Sequence, residues 1–476
     1  MQYTPPGRIK TLGALRDLLA EEAPDIACTD DPTPLATSIE VCGRTLTNRF
    51  CIHPMEGWDG TAEGRPTDHT LRRWHRFGLS GADLIWGGEA YAVQPEGRAN
   101  PNQLWFNRND NPVEHLRQLR NTLLAGRAEA GLTSDALLLG LQLTHSGRFS
   151  RSGNATPLVL AHNPVLEAKY NNADKVRVLT DDELVTIRDD MIDVAESAQQ
   201  AGFAFVDVKC AHGYLLHESL SARRREGRYG GDLESRTRLL REIVEGIRTR
   251  CPDLHIGVRL SVTDVPPHEK TPDTNIGRPV EHTLTPYDVT FGVDRCDPTK
   301  PDLAEPLEVI GMLRDLGVSM LNVTIGSPYW CPHVQRPATY PPSDGYLPPE
   351  HPLKGVQVHL QTTRAVKAAF PDLCVVGSGY SYLQEWLPHI AAAEVKAGHV
   401  DCIGLGRMVL SYPHLPRDIV KGMDMDRTCI CRTFSDCTTG PRNGEISGCY
   451  PLDAYYKDMP QAITIKGLRR EAMGRA

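Results

Sequence analysis

The sequence has no run approaching the roughly 18 consecutive apolar residues that a membrane-spanning helix needs. Its longest apolar stretches, such as Ala136 to Leu141, are short and read as buried strands. The N-terminus, MQYTPPGRIK, lacks the basic-then-apolar pattern of a signal peptide. No isolated basic tract is present, and a formal charge of −8 works against general nucleic-acid binding, which needs clustered Lys and Arg to neutralise phosphates. These absences predict a cytoplasmic protein without membrane or nucleic-acid partners. Internal repeats, low-complexity segments and a Gly-rich dinucleotide fingerprint are missing as well. In a reducing compartment the 13 cysteines are not expected to form structural disulfides. Singly scattered ones such as Cys51, Cys374 and Cys402 read as core residues.

What is present is an ordinary globular composition, with 40% hydrophobic and 24% charged residues over 476 positions. Short apolar runs alternate with longer amphipathic segments, as in parallel strands joined by helices. Eight strands are predicted, at Arg49–His53, Leu84–Gly88, Leu137–Leu143, Phe203–Lys209, His255–Ser261, Ser319–Thr324, Leu373–Gly377 and Asp401–Leu405. Helical patterns lie between them at Asp181–Ala201, Leu233–Arg250 and Val356–Ala369, with Asp181 expected as an N-cap. Eight strands without a dinucleotide fingerprint favour a closed (β/α)₈ TIM barrel over an open sheet. Residues 1–34 then form an N-terminal extension, 35–421 the barrel, and 422–476 a cysteine-bearing extension packed on it. Two stretches, Val265–Pro301 and Ser327–Leu353, exceed ordinary βα connections and are expected on the catalytic face. Tyr329, Trp330, Tyr340 and Tyr346 make the second an expected ordered lid.

The chemistry-bearing residues fall where predicted strands end, positions that converge on one face of a barrel. Strand three ends with Gln142 and Thr144, followed by His145 and Arg148. Beyond strand four, Lys209, His212 and Tyr214 put an amine, an imidazole and a phenol within six residues. Strand five carries Arg259 between Val258 and Leu260, which calls for a nearby acid or anionic ligand. Strands seven and eight end in Gly377-Ser378-Gly379 and Gly404-Leu405-Gly406-Arg407. Paired Gly-rich turns with one guanidinium suit a phosphate-bearing cofactor.

Residues 35 to 415 resemble the NADH:flavin oxidoreductase family, which includes old yellow enzyme, 2,4-dienoyl-CoA reductase and trimethylamine dehydrogenase. The most specific stretch is His212-Gly213-Tyr214-Leu215-Leu216-His217, followed by Leu220-Ser221 and by Tyr229-Gly230-Gly231 with Glu234 and Arg236. Gln142 to Arg148 and Gly404 to Arg407 also resemble family motifs. The resemblance implies FMN across the barrel mouth. Pro54, Met55, Glu56 and Ala90 would stand beside the isoalloxazine, Gln142 and Arg259 at its pyrimidine edge, and Gly379, Gly406 and Arg407 at the phosphate. Tyr214 matches the family's proton donor, and Lys209 with His212 the pair that binds a substrate carbonyl. Lys209 stands where relatives usually carry His, and Glu56 where they carry Thr or Cys. A Lys would suit a carboxylate or enolate, or would pair with Glu56.

The tail carries Cys429, Cys431, Cys437 and Cys449. Cluster-bearing relatives hold a [4Fe–4S] cluster here, but Phe434 takes one ligand position. Three readings stay open: a cluster with Cys429 as substitute ligand, a zinc bound by three or four thiolates, or packed thiols without metal. Such relatives usually continue into a second nucleotide-binding domain, and no Gly-rich βαβ unit follows the barrel here. Electrons are then expected from NAD(P)H directly at FMN, or from a separate protein. The first expectation for function is an ene-reductase acting on an α,β-unsaturated carbonyl or carboxylate. One alternative is a dehydrogenase of an amine or alicyclic compound that passes electrons onward through an iron–sulfur cluster to a partner. The other is a non-enzymatic flavin- or metal-binding scaffold. Self-association is expected by analogy alone.

Overall fold

The computed structural model describes residues 3–151 and 156–472. Its centre is a closed parallel sheet of β1 (Phe50–Ile52), β2 (Leu84–Ile85), β3 (Leu138–Thr144), β4 (Phe205–Cys210), β5 (His255–Thr263), β6 (Met320–Ile325), β7 (Cys374–Gly377) and β8 (Cys402–Leu405). Each strand pairs with the next, as in Gly140↔Phe205 between β3 and β4 and Val376↔Cys402 between β7 and β8. The ring closes through Ile403↔Phe50. The fold is therefore the expected (β/α)₈ barrel. The runs are apolar without alternation because helices cover the outside while side chains fill the inside, and all seven residues of β3 are buried. A short extra strand, Ala90–Ala92, pairs with the end of β3 through Ala90↔Gln142 and so brings Ala90 to the barrel mouth.

Two predicted helices have the expected bounds, Asp181–Ala201 and Leu233–Arg250. The third starts earlier, at Pro352, because proline suits the first helical turn and the His351 ring accepts the Leu353 N–H. The N-cap of Asp181–Ala201 is Thr180 rather than Asp181. Thr180 Oγ1 accepts the Glu183 N–H while the Glu183 carboxylate accepts the Thr180 N–H, a reciprocal capping box. Asp181 instead pairs with Arg225.

At the opposite end from the mouth, the hairpin Ile39–Val41/Arg44–Leu46 closes the barrel floor. There Val41 and Leu46 pack with Cys51, Cys374 and Cys402, which are core residues as expected. Both long loops are structured: the first contains the hairpin His268–Lys270/Gly277–Pro279, the second the short helix Pro332–Gln335. The segment after residue 421 folds into helices Asp436–Arg442, Ala454–Lys457 and Gln461–Ala472, with a small core of Tyr450, Tyr456 and Ile465. It ties to the barrel side through the two-pronged Arg72–Asp453 pair, 2.9 Å in each arm, and through Trp58, whose N–H donates to Ser447 Oγ.

Candidate active site at the barrel mouth

The C-terminal strand ends enclose a cavity of about 320 Å³, within the range of small-molecule sites. Pro54, Met55, Glu56, Ala90, Gln142, Lys209, His212, Tyr214, Arg259, Gly379, Gly406 and Arg407 all line it. The two sets of residues singled out in the sequence, one suited to a cofactor and one to proton chemistry, thus share a single chamber.

The inner wall is organised by Asp207, which the sequence reading did not single out. One oxygen accepts the Arg259 backbone N–H at 2.7 Å and the other accepts Gln142 Nε2 at 2.5 Å. Burial pushes its carboxyl up to about 6. The Arg259 guanidinium is not bonded to that carboxylate; its Nη2 lies 3.5 Å from His53 Nδ1 and its Nε has no partner. Burial lowers Arg259 to about 10, with the Asp207 charge opposing. An acid does stand near Arg259, yet the guanidinium itself still faces the cavity without an anion.

A second anion-seeking group sits at the ends of β7 and β8. Arg407 is bonded to the Pro337 carbonyl, while its Nη1 is buried and unpartnered. Arg336 stands close enough to lower the Arg407 guanidinium, after burial, which is the main cause. Arg336 donates to Thr438 Oγ1 and, at 3.6 Å, to Cys437 Sγ. Neither guanidinium meets a carboxylate among the described residues. Gly379 adopts φ +95, and a Cβ there would lie 3.0 Å from the His359 ring, so the turn leaves its backbone open to a ligand. Two unpaired guanidiniums beside Gly-rich turns fit a phosphate, and the unsatisfied Arg259 fits the electron-rich edge of a flavin.

The proton-bearing wall is held by β4 and the loop after β6. Lys209 is 6% exposed, and its ammonium lies 3.8 Å from the centre of the Tyr214 ring. Burial lowers it to about 8, against the opposing pull of Glu56. No hydrogen-bonding or ion-pair partner meets its ammonium among the described residues, so the expected alternative of a direct pair with Glu56 is not formed. His212 Nε2 lies 3.0 Å from Gln335 Nε2 and 3.3 Å from Thr324 Oγ1. Nε2 thus meets both a terminal amide and a hydroxyl. Burial and the nearby Arg259 charge hold this ring neutral. The Tyr214 hydroxyl donates to Glu56 Oε2 at 2.7 Å and lies 3.0 Å from the Tyr329 hydroxyl. Tyr329 stacks on Phe149, ring centres 3.9 Å apart, and the Arg442 guanidinium lies 5.5 Å from its ring centre.

Gln335, Arg336, Tyr329 and Arg442 come from the second long loop and the tail. The clustered aromatics of that loop were the only signal in the sequence that pointed toward any of them.

Cys431, Cys437 and Cys449 lie near enough to one another for the charge of one to raise another. Cys437 and Cys449 line the cavity, whereas Cys431 is buried and its backbone N–H points at Met408 Sδ, 3.4 Å away. Cys429 turns to Asp426, its Sγ 3.3 Å from Oδ2. Phe434 packs against Tyr340 and beneath Arg469. Among the described residues no group of three or more His, Cys, Asp or Glu side chains is placed to hold a metal ion.

Residues 34–277 match the model of the NADH:flavin oxidoreductase / NADH oxidase family. Among curated proteins, the NADH:flavin oxidoreductase FG08077 of Gibberella zeae is 30% identical over 289 residues, 56% of this chain and 65% of that protein. The NADPH dehydrogenase of a Geobacillus strain is 30% identical over 250 residues, 50% of this chain and 66% of its own. The chain thus spans less than two thirds of the length of these relatives. Among solved structures, a 2-naphthoyl-CoA reductase complex superposes with a TM-score of 0.65 at 16% identity, covering 91% of this chain and 58% of that one.

Proposed function

The chain belongs to the NADH:flavin oxidoreductase / NADH oxidase family, and on that premise we propose that it is an FMN-dependent ene-reductase using NAD(P)H. The observation that carries this reading is the single cavity in which Gln142, Arg259, Gly379, Gly406 and Arg407 face Lys209, His212 and Tyr214. Arg407, Gly379 and Gly406 hold the phosphate, with Arg336 as a further cation, and Arg259 and Gln142 hold the pyrimidine edge. Pro54, Met55, Glu56 and Ala90 border the ring system. Bound FMN would supply two-electron, hydride-transfer chemistry at this site.

The chain's own residues do the rest. The Lys209 ammonium and the neutral His212 ring bind the oxygen of an α,β-unsaturated carbonyl or carboxylate, stabilising the negative charge that develops there. Tyr214 supplies the proton to the α carbon. Tyr329, Arg442 and the tail close the cavity on the solvent side and limit water at the reacting carbons.

The test is an anaerobic titration of the FMN-loaded protein with NADPH and NADH, followed by mixing with 2-cyclohexenone. Bleaching by a nucleotide and recovery of oxidised flavin by the alkene supports the reading, and a flavin indifferent to both nucleotides sinks it. One contact favours a second reading, in which the same residues oxidise a saturated or amine substrate: the Tyr214 hydroxyl already faces a proton acceptor, Glu56. Substrate-dependent bleaching without nucleotide would select that direction.

A further inference from the structure

A phenol has one proton. Tyr214 gives its proton to Glu56 Oε2 at 2.7 Å, so in the 3.0 Å contact with Tyr329 its oxygen must accept. The three side chains form a directed chain from Tyr329 through Tyr214 to Glu56. The carboxylate is its terminus, and all three groups line the cavity. Burial, the Glu56 charge and the Tyr329 hydroxyl together push the Tyr214 phenol well above its ordinary range. A free phenolate beside a carboxylate is therefore the least accessible form of this residue, and a donor that must pass through it would be slow.

We propose that Glu56 is the proton partner of Tyr214: in each turnover a proton crosses the 2.7 Å Tyr214–Glu56 contact, so that Tyr214 serves the substrate carbon without becoming a free phenolate. This rests on the reaction proposed above. The proton step balances within these groups and the substrate. In the reductive direction the α-carbon–hydrogen bond forms from the alkene π pair and the Tyr214 proton as that O–H breaks. That direction starts with Glu56 as the carboxylic acid, the reverse of the donation in the structure: a new Tyr214 O–H forms as the Glu56 O–H breaks, and solvent returns a proton to the carboxylate left behind. In the oxidative direction each bond change reverses, and Glu56 ends protonated. Glu56 touches the reacting oxygen and is a catalytic residue in either case, whereas Tyr329, donating from the far side, is a positioning residue.

The charged and titratable neighbours of this carboxylate come from several elements. Lys209 on β4 lies over the Tyr214 ring, and Arg442 and Arg151 act on Tyr329 from the solvent side. Below the Met55–Gly57 backbone, Arg73 bridges Asp59 and Glu89, and Glu89 accepts the Gly57 N–H. The Glu56 charge favours the Lys209 ammonium against the burial that lowers it.

Two readouts test the proposal on FMN-loaded protein. With tyrosine labelled by carbon-13 at Cζ, the Tyr214 resonance is assigned by its loss in Tyr214→Phe. The wild type should show a pH-dependent shift that Glu56→Gln lacks, beyond the one near pH 8 that Lys209 over the ring gives to both. In stopped flow, reoxidation by 2-cyclohexenone should fall by roughly tenfold to a hundredfold in Glu56→Gln and keep only the pH dependence that Lys209 gives. Glu56→Asp should restore part of both. A Tyr214 resonance that titrates identically with and without Glu56 overturns the proposal, as does a Glu56→Gln enzyme with wild-type rate and pH profile. A wild type that 2-cyclohexenone cannot reoxidise overturns the ene-reductase reading instead, and the resonance titration then decides the role of Glu56 alone.

Discussion

The inner wall of the cavity is made of strand ends, and the outer wall of two loops and the segment beyond residue 421. On the inner wall, one buried carboxylate, Asp207, fixes both Gln142 and the backbone of Arg259, and neighbouring strands hold all three in register. On the outer wall the functional side chains lean on distant partners, Arg336 on Thr438 and Arg442 on Asp344, and the loop itself on the tail through the Ser343 backbone N–H, which donates to Thr439 Oγ1 at 3.1 Å. A ladder of backbone hydrogen bonds sets positions to fractions of an ångström, whereas loops held by a few side-chain bonds can adapt to what enters. The inner wall suits an invariant cofactor and the outer wall a variable substrate. Tyr214 and Glu56 lie where the two walls meet.

The largest test of that division is Tyr214→Phe. Alkene-dependent reoxidation should drop by about 10²- to 10⁴-fold, the usual worth of a general acid, with nucleotide-driven reduction retained. Next comes cofactor retention. Arg407→Ala removes a charge-assisted contact of roughly 1.5–3 kcal/mol and should weaken FMN binding about tenfold to a hundredfold. Arg336→Ala, on the outer wall, should cost less, and fluorescence of flavin released on dialysis measures both. A greater loss from Arg336→Ala would break the comparison by making the outer wall part of the cofactor site on equal terms.

Lys209 sharpens it through pH. Its ammonium, lowered to about 8 by burial, is present below that pH and lost above it. KM for an unsaturated carboxylate should therefore rise above pH about 8 in the wild type, and should be high and flat in Lys209→Met. The same depression means that the buried ammonium penalises folding below pH about 8, a penalty relieved as pH rises toward the unfolded value. Lys209→Met should accordingly raise the melting temperature at neutral pH. Arg442→Ala is smaller still. Its partner Asp344 is 54% exposed, so the pair is worth at most about 1 kcal/mol, and a change of two- to threefold in KM with kcat unchanged is expected. Last, changing Cys431, Cys437 and Cys449 to Ser should leave the flavin spectrum unaltered, and metal analysis of the wild type should find neither iron nor zinc in stoichiometric amount.

The strands were legible because a barrel strand is buried on both faces, so each left an unbroken apolar run such as Leu138 to Leu141. Their ends moved by a residue or two, since pairing with a neighbour rather than the strand's own composition decides where a ladder stops. Thr180 displaced Asp181 as the cap because the reciprocal bond to Glu183 uses the residue three positions before it, and both candidates are good capping types. The inner-wall residues could be found because they sit within four positions of a strand end. Asp207 was passed over as one more buried strand residue, although a lone carboxylate inside the Phe205–Cys210 run was the available signal. Tyr329, Gln335, Arg336 and Arg442 carry no comparable mark. They reach the cavity from more than a hundred residues away from Tyr214, through loops whose path no local pattern encodes.

By itself, then, the order of residues determined the barrel, the face on which chemistry collects and the cofactor class, because periodicity, Gly-rich turns and strand-end motifs act over a few neighbouring positions. Only the tertiary structure decided which groups meet across the cavity. It set Glu56, after β1, against Tyr214, after β4, and among the described residues it left the Lys209 ammonium without an ion-pair partner. Closure of the sheet and docking of the tail bring such groups together or hold them apart, and those are properties of the whole chain.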